Sequence, residues 1–134
     1  MSSQRFEVEL DKRVGEYAAA IVRDADLLLE DAVNLNDQQQ QFINNIKRSM
    51  IHFMSFYNEY LSMFSESVIE RQTLSFEFRT PVTSIAGFCD LLTLEVVGTL
   101  NELQHQRVQQ IKVAQEFISS AFNIWMNEGQ NAQY

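Results

Sequence analysis

Apolar residues recur at helical spacing along almost the whole chain. Four segments, each of roughly 28 residues, repeat apolar positions three, four and seven residues apart, which is typical of amphipathic helices. They cover about residues 5 to 33, 36 to 64, 68 to 96 and 100 to 127. A helix of that length is about 42 Å long. Four equal helices with short connections predict an all-α, antiparallel, up-down-up-down four-helix bundle made of two helical hairpins.

Capping-box spacings mark the starts of three of these helices. The pairs stand three positions apart and are Asn36 with Gln39, Ser67 with Glu70, and Thr99 with Glu102. In such a box each side chain bonds the backbone N–H of the other residue. We therefore expect turns before Asn36 and around Gly98, and a break near residues 65 to 67. Without that break, residues 36 to 96 would form one continuous helix, and a second chain would complete the bundle.

The composition favours helices over strands. The chain has four glycines and one proline, and neither residue occurs between Gly15 and Pro81. So few turn formers leave little room for a multi-stranded sheet. With 134 residues, 46% of them hydrophobic, the chain can build one core. We expect a single domain over residues 1 to 134, with a first hairpin over 5 to 64 and a second over 68 to 127.

The charge and the residue types exclude several classes of partner. Ten basic and eighteen acidic residues give a net charge of −8, which phosphate backbones and anionic membranes would repel, so we expect neither nucleic acid nor membrane as partner. Apolar runs such as Ala18 to Val22 are far shorter than the roughly 18 residues of a membrane span, and no signal peptide is visible, so we expect a cytoplasmic protein. Cys89 is the single cysteine and makes no zinc spacing with the two histidines, so we expect no metal and no cofactor.

Short stretches of the first hairpin recur about 65 residues later in the second. The matches are Leu35-Asn36-Asp37 with Leu100-Asn101-Glu102, Gln39 with Gln104, Ile46-Lys47 with Ile111-Lys112, Asn58 with Asn123 and, with one residue deleted at the turn, Asp26-Leu27-Leu28 with Asp90-Leu91-Leu92. Two amphipathic hairpins of one length would match by chance at apolar sites. Packing does not require identical polar residues on the surface, so these matches indicate an internal duplication.

One stretch of the third predicted helix carries a specific motif. It reads Leu74-Ser75-Phe76-Glu77-Phe78-Arg79-Thr80-Pro81-Val82-Thr83-Ser84-Ile85, followed by Gly87-Phe88 and Asp90-Leu91-Leu92. This stretch resembles the H-box of sensor histidine kinases, whose pattern is Ser-His-Glu-Leu-Arg-Thr-Pro-Leu. The resemblance covers about residues 68 to 127. It implies the dimerisation and phosphoacceptor domain of that family, a helical hairpin that pairs with a second copy into a four-helix bundle and holds its proline inside a helix.

The chain departs from this family at the reactive position. Phe76 stands where the family has its phosphoacceptor histidine, and a phenylalanine offers no nitrogen nucleophile. A kinase of this family also needs an ATP-binding domain after the hairpin, whereas this chain ends at Tyr134 and shows no Gly-rich phosphate loop. We therefore expect no autokinase activity and no enzymatic function.

The duplication suggests how such a hairpin would find its partner. Two hairpins on one chain can form the family's bundle internally, as a monomeric pseudo-dimer, with a homodimer as the alternative. In the first hairpin Lys12 aligns with Phe76, and nothing of the H-box remains there.

The resemblance places the candidate site on the third helix. Because the family presents the helix around the H-box to receiver domains, the predicted binding residues are Phe76, Phe78, Arg79, Thr80, Thr83 and Ser84. The ring of Phe76 is either exposed on this surface or turned into the core. Glu77 and Thr80 match the family's pair in which an acid assists proton transfer and a hydroxyl positions water for dephosphorylation. They are equally explained as surface residues that cost nothing to keep.

Neither histidine lies in an H-box context. His52 aligns with Phe117 in the duplicate and is expected to pack on a partly buried face. His105 is expected in the first turn of the last helix, beside the hairpin loop. A replacement phosphoacceptor role for either one is the less favoured interpretation.

These features favour a non-catalytic module of two-component signalling that binds a response regulator receiver domain or a histidine kinase. One alternative is a phosphorelay phosphotransferase, or a response regulator phosphatase cofactor, that uses Glu77 and Thr80 or a non-aligned histidine. Another is an acidic helical antagonist unrelated to phosphorelay.

Overall fold

Four α-helices make up almost all of the described chain. The computed structural model describes residues 2 to 62 and 68 to 131, with side chains over 12 to 59, over 77 to 121 and at Asn123. The elements are α1 Ser2–Glu30, α2 Asp37–Ser62, α3 Val68–Thr93 and α4 Glu102–Asn131, with a 3₁₀ turn at Ala32–Asn34 before α2. No strand occurs within these described ranges, so the all-α prediction is confirmed.

The helices lie at the corners of a square. Their main contacts join α1 to α2, α2 to α3, α3 to α4 and α4 to α1, which places α1 diagonal to α3. Between α2 and α3, Phe42 contacts Phe88 while Phe53 contacts Phe78, so these helices run in opposite directions. The up-down-up-down bundle is therefore confirmed, and a continuous helix over 36 to 96 is excluded. The predicted break at 65 to 67, with its cap at Ser67, lies outside the described residues.

The buried positions of one hairpin recur in the other. From α1 the core receives Val14, Ala18, Ile21, Ala25 and Leu28, and from α3, 64 positions later, Phe78, Val82, Ile85, Cys89 and Leu92. From α2 it receives Gln39, Ile43, Ile46, Met50 and Phe53, and from α4, 65 positions later, Gln104, Val108, Ile111, Gln115 and Ile118. Each of these core positions has a counterpart across the pseudo-two-fold axis. The repetition that the sequence indicated is therefore present in the packing.

Identical capping boxes open α2 and α4. Asn36 Oδ1 accepts a hydrogen bond from the Gln39 backbone N–H at 2.8 Å, and Gln39 Oε1 accepts one from the Asn36 backbone N–H at 2.9 Å. Asn101 and Gln104 make the same two bonds, both at 2.8 Å. The predicted box at Asn36 is confirmed, and the one predicted at Thr99 and Glu102 is wrong. Leu35 and Leu100, the residues that directly precede the two capping asparagines, are both buried.

The same two glutamines join the hairpin turns to each other. Gln39 Nε2 donates to the Thr99 carbonyl at 2.9 Å, and Gln104 Nε2 donates to the Asn34 carbonyl at 3.4 Å. Thr99 stands 65 residues after Asn34, so the two bonds are equivalent under the pseudo-two-fold relation. Both glutamines are buried, so their amide groups have to find hydrogen-bond partners inside the protein, and these carbonyls provide them.

Each hairpin also carries one matched ion pair. Lys47 Nζ lies 2.6 Å from Asp26 Oδ1 and joins α2 to α1, while Lys112 pairs with Asp90 and joins α4 to α3. These partly exposed pairs add little stability. Packing does not require either pair, so their repetition at equivalent positions supports a duplicated hairpin.

Replacing Gly98 with alanine is expected to destabilise the bundle. Its φ of +147° is one that L side chains rarely adopt, and a Cβ there would lie 2.5 Å from Asn36 Nδ2, which donates to the Val97 carbonyl at 2.7 Å. We expect the free energy of unfolding in urea to fall by about 1 to 3 kcal/mol. Gly87→Ala is the matched control, because a Cβ there meets nothing within 4 Å. The higher helix propensity of alanine should raise its free energy of unfolding by about 1 kcal/mol. Equal losses in the two variants would contradict this reading of the turn.

Candidate functional site

The H-box-like stretch lies in the middle of α3. This helix packs against α2 on one side and α4 on the other, and it holds Pro81 in its interior. Because proline has no backbone N–H, it cannot bond the carbonyl of Glu77, one turn earlier. In the next turn Ser84 Oγ donates to the Thr80 carbonyl at 3.0 Å. The stretch is helical through the proline, as the resemblance implied.

The polar residues of this stretch lie on one outer surface. Glu77, Arg79, Thr80 and Thr83 are exposed, and Ser84 is half-buried. We refer to these five residues as the α3 surface. The structure therefore brings the predicted binding residues Arg79, Thr80 and Thr83 together, next to the predicted acid. The side chain of Phe76 lies outside the described residues, so its place on this surface stays a prediction.

Phe78 belongs to the core, which corrects the prediction that placed it on the docking surface. Its side chain is 1% exposed. Its ring packs edge-on against three aromatic rings of α2, with centroids 5.5 Å from Phe53, 4.9 Å from Phe56 and 5.9 Å from Tyr57. The physical reason is the helical register, because position 78 shares the inward face of α3 with Val82 and Ile85.

A small cleft borders the α3 surface on the side of α4. It is lined by Phe78, Arg79, Val82, Thr83, Ser119 and Asn123. Its volume of about 20 Å³ has room for about one water molecule. Arg79 Nη2 reaches Asn123 Oδ1 at 3.5 Å, a long and weak hydrogen bond. Sequence reasoning missed Ser119 and Asn123 as neighbours of this site, although the repetition of Asn58 as Asn123 was a signal for the second.

The two histidines lie on α2 and α4 and not on the helix that carries the α3 surface. His52 is exposed on α2, which corrects the expectation of a partly buried side chain. Its equivalent Phe117 is exposed too, at 51%. His105 lies in the first turn of α4, as predicted, with Nε2 2.9 Å from Glu95 Oε1. That contact and a bond from the Leu100 backbone N–H lower the pKa of Glu95, which has a positive φ of 57° in the turn.

The described residues offer few groups for covalent or metal chemistry. Burial raises the pKa of the Cys89 thiol to about 12, so near neutral pH it is protonated and a poor nucleophile. Within residues 2 to 62 and 68 to 131, no three His, Cys, Asp or Glu side chains are grouped so that they could hold a metal ion. None of the helices, over the residues described, is long and apolar enough to cross a membrane.

The two interfaces between the hairpins differ in chemistry, as one pair of equivalent positions illustrates. Between α2 and α3 the rings of Phe42 and Phe88 lie 5.3 Å apart. The equivalent positions between α4 and α1 hold Arg107 and Asp24. Burial raises the pKa of Asp24, and the positive charges of Arg23 and Arg107 partly oppose that rise. The halves of the bundle are therefore chemically distinct although their cores match.

Comparison with known proteins adds no relative: no family model, no curated protein and no solved structure matches this chain. The likeness to histidine kinases therefore rests on the residues of α3 and on the duplicated hairpin.

Phe78→Ala is expected to unfold the bundle far more readily than Arg79→Ala. Truncating a buried phenylalanine costs about 3 to 5 kcal/mol of unfolding free energy, because the cavity closes only in part. Arg79 is exposed, and among the described side chains its one hydrogen bond is the long one to Asn123, so its loss should change stability by less than about 0.5 kcal/mol. Thermal melting followed by circular dichroism measures both. Similar melting of the two variants would show that Phe78 does not hold α3 against α2.

Proposed function

We propose that this chain is a non-catalytic binding module of two-component signalling, which engages a receiver domain or a histidine kinase through the α3 surface. The observation that carries the proposal is the pseudo-two-fold bundle, in which core positions, capping boxes and Lys–Asp pairs repeat between hairpins. A hairpin that must pair with a copy of itself forms the same bundle within one chain after duplication. The proposal places the chain in the cytoplasm with its partner.

The exposure of the α3 surface supports the proposed place of contact. Glu77, Arg79, Thr80 and Thr83 are open to solvent on the helix that carries the resemblance. Arginine is enriched among the residues that dominate binding energy at interfaces. The bond from Arg79 to Asn123 is long and costs little to give up, so the guanidinium can turn to a partner carboxylate.

A second candidate function is a phosphatase cofactor for a phosphorylated receiver. The observation that favours it is that Glu77 and Thr80 are both exposed within one turn of α3. The cleft between Thr83 and Ser119, next to that turn, has room for about one water molecule. An acid, a hydroxyl and a water are the groups that such assistance requires.

Arg79→Ala and Thr83→Ala are expected to weaken the complex with the partner. We expect one of the purified receiver domains or histidine kinases of the source cell to bind the chain in isothermal titration calorimetry. Loss of a central arginine contact typically costs about 2 kcal/mol, or roughly thirtyfold in affinity. Arg48→Ala, which removes an exposed arginine from α2, is the matched control and should bind like the unaltered chain. The proposed surface would be refuted if both α3 variants bind the partner like the unaltered chain. It would also be refuted if no receiver domain or histidine kinase binds the chain.

The chain is expected to bind a phosphorylated receiver without removing or accepting its phosphate. The half-life of the receiver's acyl phosphate, measured with radiolabelled phosphate, should be the same with and without the chain. No acid-labile label should appear on the exposed His52 or on His105, since neither lies in an H-box context. A shortened half-life that Thr80→Ala restores would favour the phosphatase cofactor. A labelled histidine would favour the phosphorelay alternative.

A further inference from the structure

An open apolar groove runs between α1 and α2, on the hairpin that has no H-box. Its lining is Ala19, Val22, Arg23, Asp26, Leu27, Glu30, Ile51 and Met54, and its volume is about 640 Å³. Along α1 it extends from Ala19 to Glu30, which is about 16 Å, or three helical turns. Ile51 is 49% exposed on its wall. The length and the open shape match a short helix better than an enclosed small molecule.

The second hairpin shows that folding does not require an apolar wall on the second helix of the hairpin. The positions of α3 and α4 equivalent to Ala19, Ile51 and Met54 hold Thr83, Glu116 and Ser119. Both hairpins nevertheless bury matching sets of core residues. The wall formed by the second helix of each hairpin is therefore apolar on the first hairpin and polar on the second, whereas Arg23 and Glu30 on the α1 wall are matched by Gly87 and Leu94 on α3. Val22 and Met54 also pack against the core, but the exposed Ile51 has no such role and is explained by an occupant of the groove.

The charge around the groove indicates the chemistry of that occupant. From Asp24 to Ile46 the chain has five acidic residues and no lysine or arginine. Asp26 is neutralised by Lys47, which leaves Glu30 at the end of the groove nearest the hairpin turn, with Asp31 and Asp37 in the turn region. Arg23 lies further from the turn. The turn end of the groove is therefore acidic, and a second copy of a chain with net charge −8 would be repelled there.

We propose that the groove between α1 and α2 binds an amphipathic helix of a partner protein, about three turns long, with an apolar stripe and with lysine or arginine at the end that meets the hairpin turn. This inference does not depend on the proposed role of the α3 surface, because it concerns the opposite hairpin.

A phage-displayed library of helix-forming peptides, each about 16 residues long, tests the inference when selected on the folded chain. We expect the enriched peptides to carry apolar residues at helical spacing and basic residues at one end. A synthetic enriched peptide, followed by fluorescence anisotropy, should bind Ile51→Glu and Met54→Ser about tenfold or more weakly, because these changes install the residue types of the other hairpin. Exchanging its basic residues for glutamate should weaken binding to a similar degree.

Val113→Glu supplies the matched control, because Val113 is an apolar residue of α4 that is 48% exposed. This variant should bind the peptide like the unaltered chain, and circular dichroism should show that all three variants are folded. Failure to enrich any peptide, or enriched peptides that bind Ile51→Glu and Val113→Glu equally well, would overturn the inference. Sedimentation velocity that shows a dimer dissociated by Ile51→Glu would also overturn it, since a second copy would then cover the groove.

Discussion

Two buried glutamines determine how the halves of this bundle meet. Gln39 and Gln104 each close the capping box of their own helix, and each donates a second hydrogen bond to a carbonyl of the other hairpin's turn. A buried amide group left without its hydrogen bond lowers the folding stability by about 1 to 3 kcal/mol. A shift of one hairpin along the other would break several of these bonds at once and is therefore strongly disfavoured. The register of the four helices follows from this pair of turns.

The two hairpins match in their cores and differ on their surfaces. Core positions are packed against each other across the pseudo-two-fold axis, so a change in volume on one helix is felt by its neighbours, and the buried positions of the two hairpins correspond. Surface positions have no such constraint. They differ between the hairpins, with a polar exposed side on α3 of the second and a groove lined partly by apolar residues on the first. The two interfaces between the hairpins also differ, because the positions equivalent to Phe42 and Phe88 hold Arg107 and the buried Asp24.

The sequence predicted those residues of the candidate site that are neighbours along the chain. Arg79, Thr80 and Thr83 lie on one exposed surface because one turn of a helix brings them together. Phe78 was assigned to that surface because it lies within the same motif, and the motif does not state how the helix is rotated. Ser119 and Ile51 could not be assigned to any site from the sequence, because each acquires its surroundings from a helix distant along the chain.

The sequence by itself determined the local elements of this protein. The spacing of apolar residues predicted four helices, the Asn36 and Gln39 pair predicted the start of α2, and repeated polar residues indicated the duplication. Only the tertiary structure decided that Phe78 is buried and that a groove with Ile51 on its wall lies between α1 and α2. The physical reason is that periodicity and capping involve residues within one or two turns of each other. Which face of a helix becomes core, surface or groove depends on its rotation against neighbouring helices, and that rotation is set by the packing of all four together.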